Sequence, residues 1–208
     1  MFRIICVLLG YAFGCFQTAY IVGKAIKGID IREHGSGNLG TTNAFRVLGK
    51  KLGFITFLGD VLKAVAAFLI AKLVFSEDGQ IAGLYAGLGV VLGHNWPFYL
   101  KFKGGKGIAV TSGIMLCINP LVTVIITTVM FIIIFVTKYV SLGSIIGMLS
   151  MIIFAIIAYR NNTEMLILII VIGAIAIYKH KANIKRLISG HENKIGKTKE
   201  SVVKEVNK

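Results

Sequence analysis

Three polar segments interrupt an otherwise apolar chain, and each carries groups suited to phosphate. The first, here called the glycine–threonine segment, is Gly35–Arg46 and reads GSGNLGTTNAFR. Glycines let backbone N–H groups converge on an anion, hydroxyls and amides donate hydrogen bonds, and a guanidinium binds two phosphate oxygens. A glycine-rich turn between two helices is the open alternative. The candidate binding residues are Gly35, Ser36, Gly37, Asn38, Thr41, Thr42, Asn43 and Arg46.

The glycine pattern of this segment does not indicate a dinucleotide site. GSGNLG fits G-x-G-x-x-G, but that fingerprint has meaning only between a strand and a helix of a βαβ unit. The flanking residues here are long apolar runs typical of membrane helices. We therefore expect no nucleotide cofactor.

The second polar segment, the glycine–lysine segment, is Gly93–Gly107 and reads GHNWPFYLKFKGGKG. Lys101, Lys103 and Lys106 surround Gly104 and Gly105 just before another helix, so cationic groups and a helix N-terminus coincide. The spacing of a Walker A loop is absent, and ATP hydrolysis is not implied. The aromatic side chains of this segment are typical of an interfacial belt.

The third polar segment, the histidine–arginine segment, is Lys179–Glu192 and reads KHKANIKRLISGHE. The spacing predicts an amphipathic extension of the last helix, with His180, Asn183 and Arg186 on one face. A structural histidine and simple binding of lipid headgroups by the basic residues are the open alternatives. The scattered histidines do not suggest a metal site.

The rest of the chain has the composition of a membrane protein. Of 208 residues, 56% are hydrophobic and only two are proline. The net charge of +14 comes from Lys and Arg between apolar runs and near the C-terminus, a pattern of loops beside anionic lipid rather than of nucleic-acid binding. The three cysteines lie in apolar runs, and we interpret them as small hydrophobic residues.

Seven apolar runs are candidate membrane spans, since about 20 apolar residues cross a bilayer and fewer suffice where it thins. Asn119 and Pro120 divide what would otherwise be one long helix. The first run exceeds a signal peptide and is expected to be retained as one helix. The spans are Ile4–Val22, Leu52–Phe75, Ile81–Leu92, Ile108–Ile118, Leu121–Val136, Leu142–Tyr159 and Met165–Tyr178.

Charge distribution sets the orientation. Six basic residues lie in Lys24–Lys51, three in Lys101–Lys106 and nine after Tyr178, whereas Ser76–Gln80 is acidic. Positive loops remain in the cytoplasm, so seven spans with the N-terminus outside place all three polar segments on the cytoplasmic face. This fold is an all-α, polytopic helical bundle. Within it, glycines four residues apart predict close helix packing. Asp60 and Lys63 are expected to face the interior, where they can pair; a structural ion pair and a role in supporting the site are the open alternatives.

At these segments the chain closely resembles the acyl-phosphate-dependent glycerol-3-phosphate acyltransferase family of bacterial membranes. The family motifs GSGNxGxTNxxR, GH-x-x-P leading to FKGGKG, and H-x-x-N-I-x-R-L-x-x-G-x-E stand here at Gly35–Arg46, Gly93–Gly107 and His180–Glu192. Thr41 and Trp96 depart from the family's alanine and phenylalanine, and neither change removes a functional group.

The resemblance implies acyl transfer from acyl phosphate to the 1-hydroxyl of glycerol 3-phosphate, giving lysophosphatidate and phosphate at the cytoplasmic face of the bacterial plasma membrane. It implies catalytic roles for Ser36, Arg46, Lys106, His180 and Asn183, with His180 or the donor's own phosphate as the base. Partners are then the two substrates and membrane lipids, without nucleic acid, metal or cofactor. Further substrate contacts are expected from Gly35, Gly37, Asn38, Thr41, Thr42, Asn43, Lys103, Gly104, Gly105 and Arg186.

Two other functions fit parts of the sequence. A small transporter of a phosphorylated metabolite would also need polar loops, but transporters usually carry polar groups at the bilayer midplane and internal repeats. A scaffold with a polybasic tail would leave the glycine motifs unused. We expect one membrane-embedded domain, residues 1–193, followed by a basic, flexible tail, residues 194–208.

Overall fold

The computed structural model describes residues 1–195, and these form ten α-helices, without any β-strand in that range. Most connections are short, and the two long ones join α2 to α3 and α5 to α6. The all-α prediction is confirmed. Three single 3-10 turns lie at Ile31–Glu33, Ser76–Asp78 and Phe98–Leu100. The helices are α1 (Phe2–Cys15), α2 (Thr18–Lys27), α3 (Thr41–Leu48), α4 (Lys50–Val74), α5 (Gly79–Asn95), α6 (Ile108–Ile118), α7 (Pro120–Thr137), α8 (Val140–Ala158), α9 (Thr163–Lys179) and α10 (Lys181–Ile188).

Several helices have the length and hydropathy of membrane spans. Four stretches qualify within residues 1–195, and a bent pair, α9 with α10, makes a fifth. The shorter α5 and α6, of 17 and 11 residues, complete the predicted set of seven. Seven spans remain a prediction. The four stretches are Phe2–Lys27, Lys50–Val74, Pro120–Thr137 and Val140–Ala158.

The first predicted span is not one continuous helix, which corrects the prediction for Ile4–Val22. The backbone is extended at Phe16 and Gln17, and α1 ends before them while α2 begins after them. Gln17 is fully buried, and its amide nitrogen donates to the carbonyls of Gly14, Gly93 and His94. The break is stable because side chains take over hydrogen bonds that a continuous helix would make to itself.

The predicted break at Asn119–Pro120 is confirmed. Helix α6 ends at Ile118, and α7 begins at Pro120, whose missing N–H costs nothing at the first helical position. The side chain of Asn119 caps α7 by accepting a hydrogen bond from the backbone N–H of Val122, at 3.1 Å.

Helices α1 and α5 pack with their backbones in near contact, as the glycine spacing predicts. A Cβ atom on Gly10 would lie 1.9 Å from the carbonyl oxygen of Ala86, and one on Gly89 would lie 2.1 Å from that of Val7. No side chain fits there, so these glycines set the distance between the two helices. Since α5 leads directly into the glycine–lysine segment, this packing fixes where that segment starts.

The main apolar core joins residues of α4, α5, α6, α8 and α9, among them Phe68, Ile114 and Met151. Helix α10 is a separate element, bent by 56° from α9, rather than a straight extension of the last helix. His180 occupies the bend. The tail prediction for residues 194–208 falls, from residue 196 onward, outside the described residues.

Candidate active site

The glycine–threonine segment is half loop and half helix, because α3 begins at Thr41. Gly35 and Gly37 have φ values of +62° and +70°, where only glycine is free of strain. At Gly35 a Cβ atom would also lie 2.3 Å from Oδ1 of Asn43. Gly35 and Gly37 are therefore required by the backbone path of this loop.

Asn43 holds the loop in shape from the first turn of α3. Its side chain is buried, and Oδ1 accepts a hydrogen bond from the backbone N–H of Ser36 at 2.8 Å. Its Nδ2 donates to the carbonyls of Ile31 and His34, at 3.3 and 3.1 Å. Because the amide is fully engaged inside the protein, its geometry favours a positioning role over the predicted substrate contact.

The groups free to bind an anion lie beside this support. Ser36, Thr42 and Arg46 are exposed, and Arg46 follows Thr42 by one helical turn, so both lie on one face of α3. The hydroxyl of Thr41 is buried and has no hydrogen-bond partner among residues 1–195. A buried hydroxyl without a partner is costly, and a bound ligand would supply one.

The glycine–threonine and glycine–lysine segments are in direct contact. Nδ2 of Asn38 donates to the carbonyl of Gly104 at 3.2 Å, while its Oδ1 accepts from the N–H of Gly40 at 3.0 Å. Asn38 thus connects the two segments and also closes its own turn. The sequence predicted this residue as a substrate contact, and the structure adds a structural contact.

Gly104 and Gly105 lie against the end of α5. Their N–H groups donate to the carbonyls of Asn95 and His94, at 3.2 and 2.9 Å. Cβ atoms on them would lie 2.1 Å from the His94 carbonyl oxygen and 2.0 Å from His94 Nε2, respectively. Glycine is needed here for packing, and these two N–H groups are occupied within the protein rather than turned to a phosphate.

Lys106 joins the glycine–lysine segment to the histidine–arginine segment by donating a hydrogen bond to Oδ1 of Asn183. Burial lowers the pKa of Lys106 to about 8, opposed by Glu192 and reinforced by the cations Arg186, Lys179 and Arg46. Lys106 therefore remains mostly protonated at pH 7. Electrostatic coupling to Arg46 places both cations in one positively charged region.

Glu192 organises the histidine–arginine segment, a role that sequence reasoning did not assign. Its Oε1 accepts from Nδ2 of Asn183 at 2.7 Å and from the hydroxyl of Ser141 at 3.0 Å. Its Oε2 pairs with Nε of Arg186 at 2.7 Å. Glu192 is the last residue of the third family motif, so the sequence could have identified it. Nothing in the sequence identifies Ser141, at the start of α8.

His180 lies at the bend between α9 and α10 and is 3% exposed. Its Nδ1 lies 2.8 Å from the carbonyl oxygen of Ala176, which can only accept, so Nδ1 carries a proton. Burial lowers the pKa of His180 to about 4, with the charge of Lys106 acting in the same direction. Neutral His180 therefore keeps Nε2 as a hydrogen-bond acceptor.

The remaining predicted residue, Lys103, is exposed; its backbone N–H donates to the Leu100 carbonyl, and its ammonium group has no hydrogen bond or ion pair within residues 1–195. A neighbouring cation that was not predicted, Lys179, donates to the carbonyl of Asn95 at 3.1 Å and lies over the Trp96 ring. Over the same range, no three His, Cys, Asp or Glu side chains are grouped as a metal site would need.

Comparison with known proteins gives the same family from sequence and from structure. The family model described as glycerol-3-phosphate acyltransferase matches residues 4–190. Glycerol-3-phosphate acyltransferases of Clostridioides difficile and Bacillus subtilis are 48% and 43% identical, covering 95% and 91% of this chain and 97% and 95% of those proteins.

A solved structure is similar over almost its whole length. It is the glycerol 3-phosphate form of PlsY, an integral membrane glycerol 3-phosphate acyltransferase, with a TM-score of 0.84 and 36% identity over 93% of this chain and 96% of that one. The helical fold, the matched segments and these relatives lead to one assignment. The chain belongs to the glycerol-3-phosphate acyltransferase family.

Proposed function

We propose that this integral membrane enzyme transfers an acyl group from acyl phosphate to the 1-hydroxyl of glycerol 3-phosphate, giving lysophosphatidate and phosphate. The observation that carries the proposal is the direct contact of all three polar segments, through Asn38 with Gly104 and through Lys106 with Asn183. Family membership supports the acceptor, and the resemblance of the motifs supports acyl phosphate as donor.

The positive charge of the site suits a reaction between two phosphate-bearing molecules. We assign Arg46 and Lys106 to phosphate oxygens, since both are cationic at neutral pH and electrostatically coupled. Exposed Ser36 and the unpartnered hydroxyl of Thr41 supply further donors nearby in the chain. These groups neutralise the repulsion between the two anions and stabilise negative charge that develops on the carbonyl and on the leaving phosphate.

In the proposed step, the glycerol O1 atom forms a bond to the acyl carbonyl carbon, and the bond from that carbon to the phosphate oxygen breaks. The proton of the hydroxyl leaves with inorganic phosphate. A histidine with a pKa near 4 is a weak base at neutral pH, which favours the donor's phosphate as proton acceptor over His180. Neutral His180 instead accepts a hydrogen bond at Nε2 from the 2-hydroxyl of glycerol 3-phosphate, which orients the acceptor and leaves the 1-hydroxyl proton to the phosphate.

Direct transfer is favoured over an acyl-enzyme. None of the three cysteines lies in the three polar segments. Cys6 and Cys15 are also buried, and Cys117 is half-buried near the end of α6. An acyl phosphate is already an activated donor, and positioning it beside the hydroxyl supplies much of the acceleration. The acyl chain is expected to extend into lipid or between helices, which keeps the reacting carbonyl at the interface.

The proposal includes the topology: seven spans, an external N-terminus, a cytoplasmic C-terminus and a cytoplasmic active site in one domain, residues 1–193. Single cysteines at Lys101 and Glu77, in a chain lacking native cysteines, test it in intact bacterial cells. A membrane-impermeant maleimide should label Glu77→Cys directly and Lys101→Cys only after permeabilisation. Labelling of both positions from outside would contradict the topology.

The function itself is tested with purified protein in lipid, supplied with glycerol 3-phosphate and one acyl donor at a time. We expect lysophosphatidate with acyl phosphate and none with acyl-CoA or acyl-carrier protein. The reverse donor preference would overturn the donor assignment. Ser36→Ala and Arg46→Ala should each lose at least about a hundredfold in turnover while inserting normally, and full activity in both would place the phosphate site elsewhere.

A further inference from the structure

A second charged cluster lies inside the helical bundle, where the proposed reaction does not use it. Asp60 and Lys63 of α4 and His94 of α5 have side chains that are 2–5% exposed. The break between α1 and α2 adjoins them, since the Thr18 hydroxyl donates to Oδ1 of Asp60 at 3.2 Å. The pairing of Asp60 with Lys63 expected from the sequence is confirmed at 2.8 Å.

Lys63 uses each of its three ammonium hydrogens. Its Nζ lies 2.8 Å from Oδ1 of Asp60, 2.6 Å from the carbonyl oxygen of Phe16 and 3.1 Å from Nδ1 of His94. The first contact neutralises the charge, and the second supplies a partner to the carbonyl left open by the helix break. The third contact sets the state of His94.

Because an ammonium group only donates, Nδ1 of His94 accepts, and its proton resides on Nε2. The same edge of the ring lies directly beneath Gly105, where a Cβ atom would be 2.0 Å from Nε2. The backbone N–H of Gly105 also donates to the His94 carbonyl at 2.9 Å. His94 therefore supports Gly105 through both its ring and its backbone, and Gly105 precedes Lys106.

The end of α5 is fixed from two sides. Gln17 donates to the carbonyls of Gly93 and His94 from the helix break. On the side of the site, the Asn95 carbonyl accepts from the N–H of Gly104 at 3.2 Å and from Nζ of Lys179 at 3.1 Å. A shift or rotation of His94 would thus move the turn that carries Lys106 relative to Asn183.

We propose that Asp60, Lys63 and His94 form a positioning network that sets the His94 tautomer and thereby aligns Lys106 with its phosphate-bearing substrate. None of the three touches substrate. A buried ion pair can often be replaced by apolar residues of similar size without loss of stability, so stabilisation alone explains the network poorly. The proposal rests on the proposed phosphate-binding role of Lys106.

The main test is the double variant Asp60→Asn, Lys63→Met, which removes both charges together and takes the donor away from His94. With acyl phosphate saturating, we expect the KM for glycerol 3-phosphate to rise about tenfold or more. The fold-change in kcat should be smaller, and the thermal unfolding temperature should change little. The control is Arg3→Met, Glu164→Gln, which removes an ion pair between α1 and α9 and should leave KM unchanged. A wild-type KM in the Asp60 and Lys63 variant would overturn the proposal.

Substitutions of His94 keep the test decisive if the double variant does not fold. The carbonyl oxygen of His94→Asn can replace Nδ1 as the acceptor for Lys63, whereas His94→Leu cannot. We expect the leucine variant to raise KM and the asparagine variant to recover at least part of the loss. Equal KM values in the two variants would contradict the network. Activity of the wild-type enzyme with acyl phosphate tests the proposed function separately.

Discussion

Two groups of charged side chains lie on opposite sides of the end of α5, and they differ in how they use their hydrogen bonds. In the buried network, Lys63 has a partner for each hydrogen. At the site, Arg46 is exposed, and Lys106 makes one hydrogen bond within residues 1–195. A charged group whose hydrogen bonds are all made within the protein holds the backbone in place, whereas a charged group with free donors is available to a ligand.

The largest expected effect separates a site cation from a neighbouring surface cation. Lys106→Gln should lower kcat/KM for glycerol 3-phosphate about a hundredfold or more, because a charged donor to phosphate and its hydrogen bond to Asn183 are lost. Lys101→Gln, an exposed position in the same segment, is the matched control and should change kcat/KM less than about threefold. Similar losses in both variants would show that only the total charge of the segment matters.

The next effect tests the contact between the buried network and the site, which is made by the His94 ring and Gly105. Gly105→Ala places a methyl group on the His94 ring, and displacement of the turn should reduce activity about ten- to a hundredfold. Gly147→Ala in α8 is the control, since its Cβ atom would meet its nearest neighbour at 3.7 Å, an ordinary contact. Initial rates at matched amounts of inserted protein provide the measurement. Undiminished activity of the Gly105 variant would show that the turn adapts freely.

A smaller effect is expected at Glu192, which belongs to the site. Like Lys63 in the buried network, it makes its hydrogen bonds within the protein, since both carboxylate oxygens have partners there. Glu192→Gln should lower turnover about tenfold, because the amide keeps one acceptor while the charge opposite Arg186 is lost and Asn183 is held less firmly. A wild-type turnover of Glu192→Gln would show that another group holds Asn183 in place.

The smallest effect is a pH dependence of Lys106. Its pKa of about 8 means that the ammonium form predominates at pH 7 and is lost as pH rises, so kcat/KM should fall about twofold between pH 7 and pH 8 and more steeply above. Lys106→Arg, which stays charged, should show lower activity without that inflection. A profile that is flat to pH 9.5 in the wild type would exclude Lys106 as the titrating group.

The sequence predicted those features that depend on local pattern. Apolar runs and the Asn119–Pro120 pair located helix boundaries within a few residues. Glycines four apart predicted close helix packing, which the structure has between α1 and α5. The break at Phe16–Gln17 was missed, because the groups that stabilise it, on Lys63, Gly93 and His94, are distant in the chain. Local hydropathy carries no record of such partners.

The same limit applies to the site. Residue types identified Lys106 and Asn183, and the fold brought them together as the orientation argument required. Sequence patterns did not distinguish glycines that approach a ligand from glycines that pack on His94, nor an asparagine that binds from one, Asn43, that holds a loop. These roles depend on which hydrogen-bonding groups are already occupied, and only the folded chain determines that.

The helix break has a consequence for how this protein is made. Gln17 leaves the ribosome 76 and 77 residues before the carbonyls of Gly93 and His94 that it binds. Until α5 has entered the bilayer, the Gln17 side chain lacks two of its final acceptors, and the Cys15 carbonyl at the break lacks the Tyr99 hydroxyl that donates to it. The newly made N-terminal helix must therefore wait in lipid as a continuous helix or remain near the translocon, and it takes its final form only after the fifth helix arrives.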